Sequence, residues 1–275
     1  MIAAGVLDVY FTVDVEVWCG GWVDVDRKFA EAFPRYVVGP TSRGNFGLPF
    51  QTQVLRDHGL TGTFFVEPLF STRFGAQPLA DIVGILVEGR QDIQLHLHTE
   101  WVDEIRPSLL ENTERKRQHL THFSRAEQIC LLRVAKQTLE TALGHSVEAF
   151  RAGSYAANAD TFAALEATGI FIDSSLHSMM DFSQGSIPPA VGFSPVRRIG
   201  AVTSYPVSVF RDGLGRSRPL QIGACSFAEV QQALETAHAL GVEHLVIVSH
   251  NFEMLKPDRA EPDWVVVRRF QKLCR

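Results

Sequence analysis

Short apolar runs alternate with longer amphipathic segments along most of the chain. The apolar runs predict seven strands and the amphipathic segments predict six helices. Because strands that alternate with helices usually pair in parallel through crossover connections, we expect an α/β fold built on a parallel sheet. The predicted strands are Val6–Asp14, Thr61–Val66, Asp92–His98, Glu148–Arg151, Ile170–Asp173, Thr203–Phe210 and His244–His250. The predicted helices are Phe50–His58, Leu79–Glu88, Ser124–Leu143, Asp160–Thr168, Ser226–Leu240 and Asp263–Leu273.

Local signals support several of these helix boundaries. Ser124 with Glu127, and Ser226 with Glu229, have the spacing of a capping box, in which each side chain bonds the main-chain N–H of the other residue. Glycine follows three of the helical segments, where it permits the left-handed conformation that ends a helix. These glycines are Gly144, Gly169 and Gly241.

Two stretches interrupt the alternation. Cys19–Leu48 is rich in glycine, aromatic and charged residues, and His177–Ile199 contains Pro188-Pro189 with several serines and glycines. Both follow predicted strands at the end where barrel loops build active sites. We therefore interpret them as functional loops. A disordered or merely decorative insertion is the alternative for both, and above all for the second.

Composition bounds the class of protein. The chain has 275 residues, of which 45% are hydrophobic, and this suffices for one large core. We expect a single domain over residues 1–275. The net charge is −5 and basic residues do not cluster, so no nucleic-acid partner is predicted.

Cysteine use and the N-terminus bear on redox chemistry and localisation. The four cysteines are far apart and form no C-x-x-C pair, so neither a disulfide framework nor a cysteine metal site is expected. Met1–Tyr10 has no basic region before its apolar residues, and no apolar run reaches the length of a membrane span. These features predict a cytoplasmic protein that does not insert into membranes.

Two carboxylates end the first apolar strand. Asp14 and Glu16 are two residues apart, so in extended chain their side chains lie on one face. Carboxylates at the carboxyl end of a barrel strand suit a metal ligand or a general base. Acids that merely end a strand and face water are the alternative.

A second polar group follows the third strand. His96, His98 and Glu100 repeat the two-residue spacing, and imidazole and carboxylate are suitable ligands for zinc and similar ions. One such histidine alone would more often be a satisfied core residue. Two histidines and a glutamate after an apolar strand favour a site.

Two more strands end in groups that could take part in catalysis. Arg151 precedes a turn with Gly153 and Tyr155, and an arginine can hold a carboxylate through two parallel hydrogen bonds. His250 ends the last strand, and histidine is a common acid or base near neutral pH. An ordinary salt bridge and a histidine bonded to main chain are the respective alternatives.

These four segments, in this order, resemble the polysaccharide deacetylase family, also called the NodB homology or carbohydrate esterase 4 family. The resemblance spans Phe11 to about Glu253. It implies a distorted (β/α)7-type barrel in a single domain, a divalent metal with zinc as the expected ion, and hydrolysis of the amide of N-acetylated sugars or polysaccharides.

The resemblance also implies residue roles. Asp14 matches the catalytic base of the first motif, while Val15 occupies the usual aspartate ligand position and passes that role to Glu16. His96 and Glu100 match the two ligand positions of an H-x-x-x-H motif. His98 is an additional candidate ligand.

The remaining motifs supply the other roles. Arg151 matches the arginine that steadies the base, with Gly153 in place of a proline, and a main-chain amide near Tyr155 would stabilise the oxyanion. His250 matches the catalytic acid. Asp173-Ser174-Ser175 follows the strand where a fourth, weaker motif is expected.

Tryptophans follow the catalytic segments. Trp18, Trp22 and Trp101 could stack on sugar rings or pack against the loops, and Tyr155 is a further candidate for contact with substrate. The partner is then a carbohydrate or a small N-acetylated compound. Two other functions stay open: hydrolysis of another small amide or ureide, and a degenerate barrel that binds carbohydrate without turnover.

Overall fold

The computed structural model describes residues 6–111, 116–180, 182–183, 186–187 and 192–275. The strands are β1 (Asp8–Val15), β2 (Pro40–Thr41), β3 (Gly44–Asn45), β4 (Thr63–Val66), β5 (Asp92–Leu97), β6 (Ala149–Ala152), β7 (Ile172–Asp173), β8 (Arg197–Ile199), β9 (Val202–Ser204), β10 (Val209–Arg211), β11 (Ser217–Pro219) and β12 (His244–His250). The helices are α1 (Val25–Val37), α2 (Leu48–Asp57), α3 (Ser71–Phe74), α4 (Gln77–Glu88), α5 (Arg125–Leu143), α6 (Ala159–Ala167), α7 (Phe227–Ala239) and α8 (Trp264–Leu273). Short 3-10 turns cover Thr99–Glu104, Leu120–His122 and Gly153–Tyr155.

One curled sheet organises the molecule. Its strand order is β12-β1-β4-β5-β6-β7-β9-β8. The pairs from β12 to β9 are parallel, and only the outermost pair, β8 with β9, is antiparallel. Main chain near residues 208 and 220–222 bonds to β12 from its other side. The predicted distorted (β/α)7-type barrel in a single domain is confirmed.

Alternation along β1 divides its side chains between the core and the barrel interior. Val13 and Val15 are buried in the hydrophobic core. Thr12 and Asp14 point to the opposite face, since successive strand side chains alternate. An acid at this position is therefore held by the same strand that anchors the core.

Both predicted capping boxes are confirmed. Ser124 and Glu127 bond reciprocally at the start of α5, and Ser226 and Glu229 do so at the start of α7. Gly144 follows α5 in the left-handed conformation, with φ of 81°. None of the helices formed by the described residues combines the length and the apolar character that a membrane span requires.

The structure contains three short elements that were not predicted, α3, β8 and β11, and β8 lies within the second predicted loop. It also differs in two longer segments. Cys19–Leu48 contains the helix α1, which buries Phe29 and Ala32, as well as the hairpin β2–β3. The predicted strand Thr203–Phe210 is split into β9 and β10, because Pro206 has no N–H for a sheet ladder. Residues 181, 184–185 and 188–191 of the second predicted loop lie outside the described residues.

Candidate metal centre and catalytic site

Strand register brings the predicted polar motifs to one end of the sheet. Asp14 of β1 lies beside His250 of β12, and His96 of β5 lies beside Arg151 of β6. Parallel strands have their carboxyl ends at the same edge, so the residues that follow each strand gather there. The structure thus brings Asp14, His96, Arg151 and His250 together.

Glu16 lies at the centre of this group. Its Oε1 is 3.2 Å from Nε2 of His96 and 2.8 Å from Nε2 of His98. Nε2 of His250 is 4.0 Å from the same oxygen. Glu16, His96 and His98 are all buried. One carboxylate oxygen and two imidazole nitrogens therefore converge on one point.

Hydrogen bonds on the far side of each ring fix which nitrogen faces Glu16. Nδ1 of His96 donates to the main-chain oxygen of Arg151 at 2.8 Å, because a carbonyl can only accept. Nδ1 of His98 is 3.2 Å from Oε2 of Glu100. Metal-binding histidines are commonly oriented by a carbonyl or a carboxylate in this way. With both Nε2 atoms turned inward, the residues fit a divalent ion such as zinc.

The same contacts couple the charges of Glu16 and His98. Burial alone would raise the pKa of Glu16, but the charge of His98 and hydrogen bonds from His96 and His98 hold it well below its usual range. Burial alone would lower the pKa of His98, but the Glu16 charge and the bond to Glu100 raise it well above the ordinary value. A metal ion at this place would compete with protons for the imidazole of His98, so its affinity would depend on pH.

Glu100 therefore has a different place from the one predicted. Its carboxylate contacts Nδ1 of His98, on the side of the ring that faces away from Glu16. Glu100, which stands at the second ligand position of the H-x-x-x-H motif, thus contacts His98 and not the point where the Nε2 atoms meet. Two pairs of side chains converge with Glu16: His96 and His98, the H-x-H pair at the end of β5, and Asp14 and His250. We assign the ligand role to the first pair, because Asp14 is bonded to Arg151 and His250 to Glu253.

Asp14 and Arg151 form a buried ion pair. Nη1 of Arg151 donates to Oδ1 of Asp14 at 2.7 Å, and both residues are almost fully buried. Ser174 accepts two further bonds from the guanidinium, through its carbonyl at 3.1 Å and its hydroxyl at 2.9 Å. Within the described residues, Oδ2 of Asp14 accepts no side-chain hydrogen bond. That oxygen is available to take a proton.

A carboxylate that the sequence did not single out supports His250. Oε1 of Glu253 is 3.0 Å from Nδ1 of His250, and Oε2 accepts from the main chain of Gly223 at 2.9 Å. Burial alone would lower the pKa of His250, but the bond to Glu253 and nearby carboxylates raise it to about 9. The direction of this shift favours the protonated imidazole, which is the form that a general acid needs. Its three-residue separation from Glu253 is the one signal of this pair in the sequence.

The four aromatic candidates differ in position, and Trp22 packs edge-on against both Trp18 and Trp101. Trp101 is 1% exposed and packs edge-on against Phe29 and Phe74, so the packing role applies and contact with a sugar does not. Trp18 is half-buried and donates to Glu16. Tyr155 lies on a turn with positive φ of 57°, its ring against His177. Burial raises the pKa of its phenol, and the charge of Asp14 adds to the effect.

Gly153 makes room for His98. A Cβ at this position would lie 2.6–2.8 Å from three atoms of the His98 ring. Glu67 holds the same histidine from behind by accepting the main-chain N–H of His98 and, at 2.6 Å, that of Leu69. The ring therefore has little freedom to move. Any residue with a Cβ at position 153, including the proline of the family motif, would collide with His98 in this position.

Gly153→Ala is expected to displace His98 and to weaken zinc binding roughly 10–100-fold, the loss typical when the support of a ligand is removed. The measurement is competition for Zn²⁺ with a chromophoric chelator. Gly84→Ala is the control, since a Cβ at that helical position meets nothing within 4 Å. Equal zinc affinity in the two variants would contradict the role assigned to Gly153.

Comparison with known proteins places the fold. No protein-family model matches the chain, and no curated protein matches it in sequence. A Mycobacterium smegmatis protein provisionally assigned as a polysaccharide deacetylase superposes with a TM-score of 0.61 and 17% identity, over 100% of this chain and 86% of that one. A family 4 carbohydrate esterase from Streptomyces lividans in complex with acetate gives 0.50 and 12%, over 97% of this chain and 85% of that one.

The same architecture also occurs in a different enzyme. A 4-alpha-glucanotransferase from Thermococcus litoralis superposes with a TM-score of 0.58 and 13% identity, over 97% of this chain but only 37% of that one. The chain thus has the fold of polysaccharide deacetylases, as its motifs indicated. Since one fold supports several reactions, the reaction must be argued from the site.

Proposed function

We propose that this protein is a metal-dependent hydrolase that removes acetyl groups from N-acetylated sugars or polysaccharides. The observation that carries the proposal is the convergence of Glu16, His96 and His98 beside the Asp14–Arg151 pair and the Glu253-bonded His250. A three-residue ligand set next to one base and one acid has the parts that hydrolysis of an amide needs. Zinc is the ion that this ligand set suits.

A divalent ion held by Glu16, His96 and His98 would supply Lewis-acid polarisation of the acetamide carbonyl and a lowered pKa of water. Asp14 takes the proton of the attacking water on Oδ2, while Arg151 holds Oδ1 and keeps the carboxylate oriented. A new C–O bond forms at the carbonyl carbon as water attacks. The main-chain amide near Tyr155 is our candidate donor to the oxyanion.

His250 completes the reaction from β12, the strand next to β1. Its proton passes to the nitrogen of the sugar as the C–N bond breaks, which yields acetate and a free amine. Glu253 orients the imidazole through Nδ1, so Nε2 is the atom that faces the site. The elevated pKa of His250 suits this role because the residue must begin each turnover protonated.

The test is release of acetate from N-acetylated mono- and oligosaccharides by the purified protein. We expect release that stops when a chelator removes the metal and returns when Zn²⁺ is added. Acetate release that is indifferent to the chelator would contradict metal dependence. Release of ammonia or an amine from small amides or ureides alone would assign the same site to the other hydrolysis considered, and glycan binding without any product would indicate a degenerate barrel.

A further inference from the structure

The indole of Trp18 is bonded to the central carboxylate of the site. Its Nε1 donates to Oε2 of Glu16 at 2.6 Å. The two residues are two apart in the chain that follows β1, and the bond brings their side chains together. A short N–H bond to an ionised carboxylate is one of the stronger hydrogen bonds in proteins.

The Trp18 ring is held in place by its neighbours. It packs edge-on against His98, with ring centroids 4.8 Å apart, and against Trp22 at 6.2 Å. Nζ of Lys116 lies 3.8 Å over the Trp22 ring. The indole therefore has neighbours on two sides that fix the direction of its N–H group.

The main chain of Glu16 is fixed as well. Asn251, which is fully buried and follows His250, accepts the N–H of Glu16 at 3.0 Å and donates to its carbonyl at 3.1 Å. With backbone and Oε2 both restrained, Oε1 is the oxygen that is free to face His96 and His98. The carboxylate thus presents Oε1 to the two histidines, while Oε2 is bonded to the indole.

We propose that Trp18 is a positioning residue of the metal centre, which restricts Glu16 to a single-oxygen ligand and directs Oε1 to the ion. The proposal rests on the metal centre of the proposed function. It replaces the sugar-stacking role considered for Trp18 from the sequence. A packing role for Trp18 would need only its aromatic ring. The positioning role also needs the indole N–H that bonds Glu16.

Trp18→Phe separates the two, since it keeps an aromatic ring and removes the donor. We expect the Kd for Zn²⁺, measured by competition with a chelator, to rise about 10–100-fold. We also expect the melting temperature of the metal-free protein to change no more than in Trp22→Phe, the matched control. The Co²⁺-substituted variant should show weaker visible d–d absorption, because freeing Oε2 lets Glu16 supply a second oxygen and raises the coordination number.

The outcomes separate this proposal from the proposed function. Wild-type affinity and an unchanged Co²⁺ spectrum in Trp18→Phe overturn the positioning role and leave the metal centre standing. Equal weakening in Trp22→Phe assigns the effect to packing and also overturns it. Wild-type protein that binds neither Zn²⁺ nor Co²⁺ overturns the metal centre and the positioning role together. A rise in Kd confined to Trp18→Phe supports the proposal.

Discussion

Asp14→Asn is expected to reduce the turnover number for acetate release by about 10²–10⁴-fold, the usual contribution of a general base. The amide keeps the shape of the side chain and an oxygen for Arg151 to bond, but it cannot accept the proton of water. Zinc content should stay at the wild-type level, because the proposed ligands are Glu16, His96 and His98, whereas Oδ1 of Asp14 is bonded to Arg151. The measurements are steady-state kinetics and elemental analysis on the same preparation.

Asp92→Asn is the matched control for this loss. Asp92 begins β5, at the opposite end of the sheet, where it accepts a hydrogen bond from Gln94 at 2.9 Å. The same substitution there should leave turnover near the wild-type value. If Asp14→Asn retained full turnover, or lost its zinc along with its activity, the assignment of Asp14 as the base would be wrong.

Arg151→Met should have the largest effect on stability, with a loss of about 3–5 kcal/mol in the free energy of unfolding. Arg151 is 0% exposed, and its removal leaves the Asp14 carboxylate buried without its partner. The variant also loses the two bonds to Ser174 and the contact of the guanidinium with the Phe65 ring at 4.4 Å. Urea denaturation followed by circular dichroism measures the change.

A double variant tests whether the loss of stability in Arg151→Met comes from the unpaired charge of Asp14. Arg151→Met combined with Asp14→Leu should be more stable than Arg151→Met alone, since removing both charges is less costly than removing one. Arg27→Met is the surface control, because the pairs of Arg27 with Asp24 and Glu31 are exposed and water already solvates those charges. An Arg151→Met protein that unfolds at the wild-type urea concentration would refute the account of this pair.

Local patterns in the sequence determined most of the scaffold. Buried strands such as His244–His250 read as continuous apolar runs because both faces of a parallel sheet are covered. The capping boxes at Ser124 and Ser226 depend only on residues within one turn, so they are visible without the fold. The helix α1 escaped prediction because Asp24, at its start, makes no capping bond and Pro34 lies inside it.

The sequence also determined which residue types stand at the carboxyl ends of the strands, because the motifs at Asp14, His96, Arg151 and His250 each follow an apolar run. Only the tertiary structure decided which partners the side chains near these motifs contact. Glu100 orients His98, Trp18 bonds Glu16, and Glu253 bonds His250, although spacing alone allowed other roles. The physical reason is that a ligand is defined by where its donor atom points. That direction depends on strand register, on the space left by Gly153 and on hydrogen bonds between residues distant in the chain.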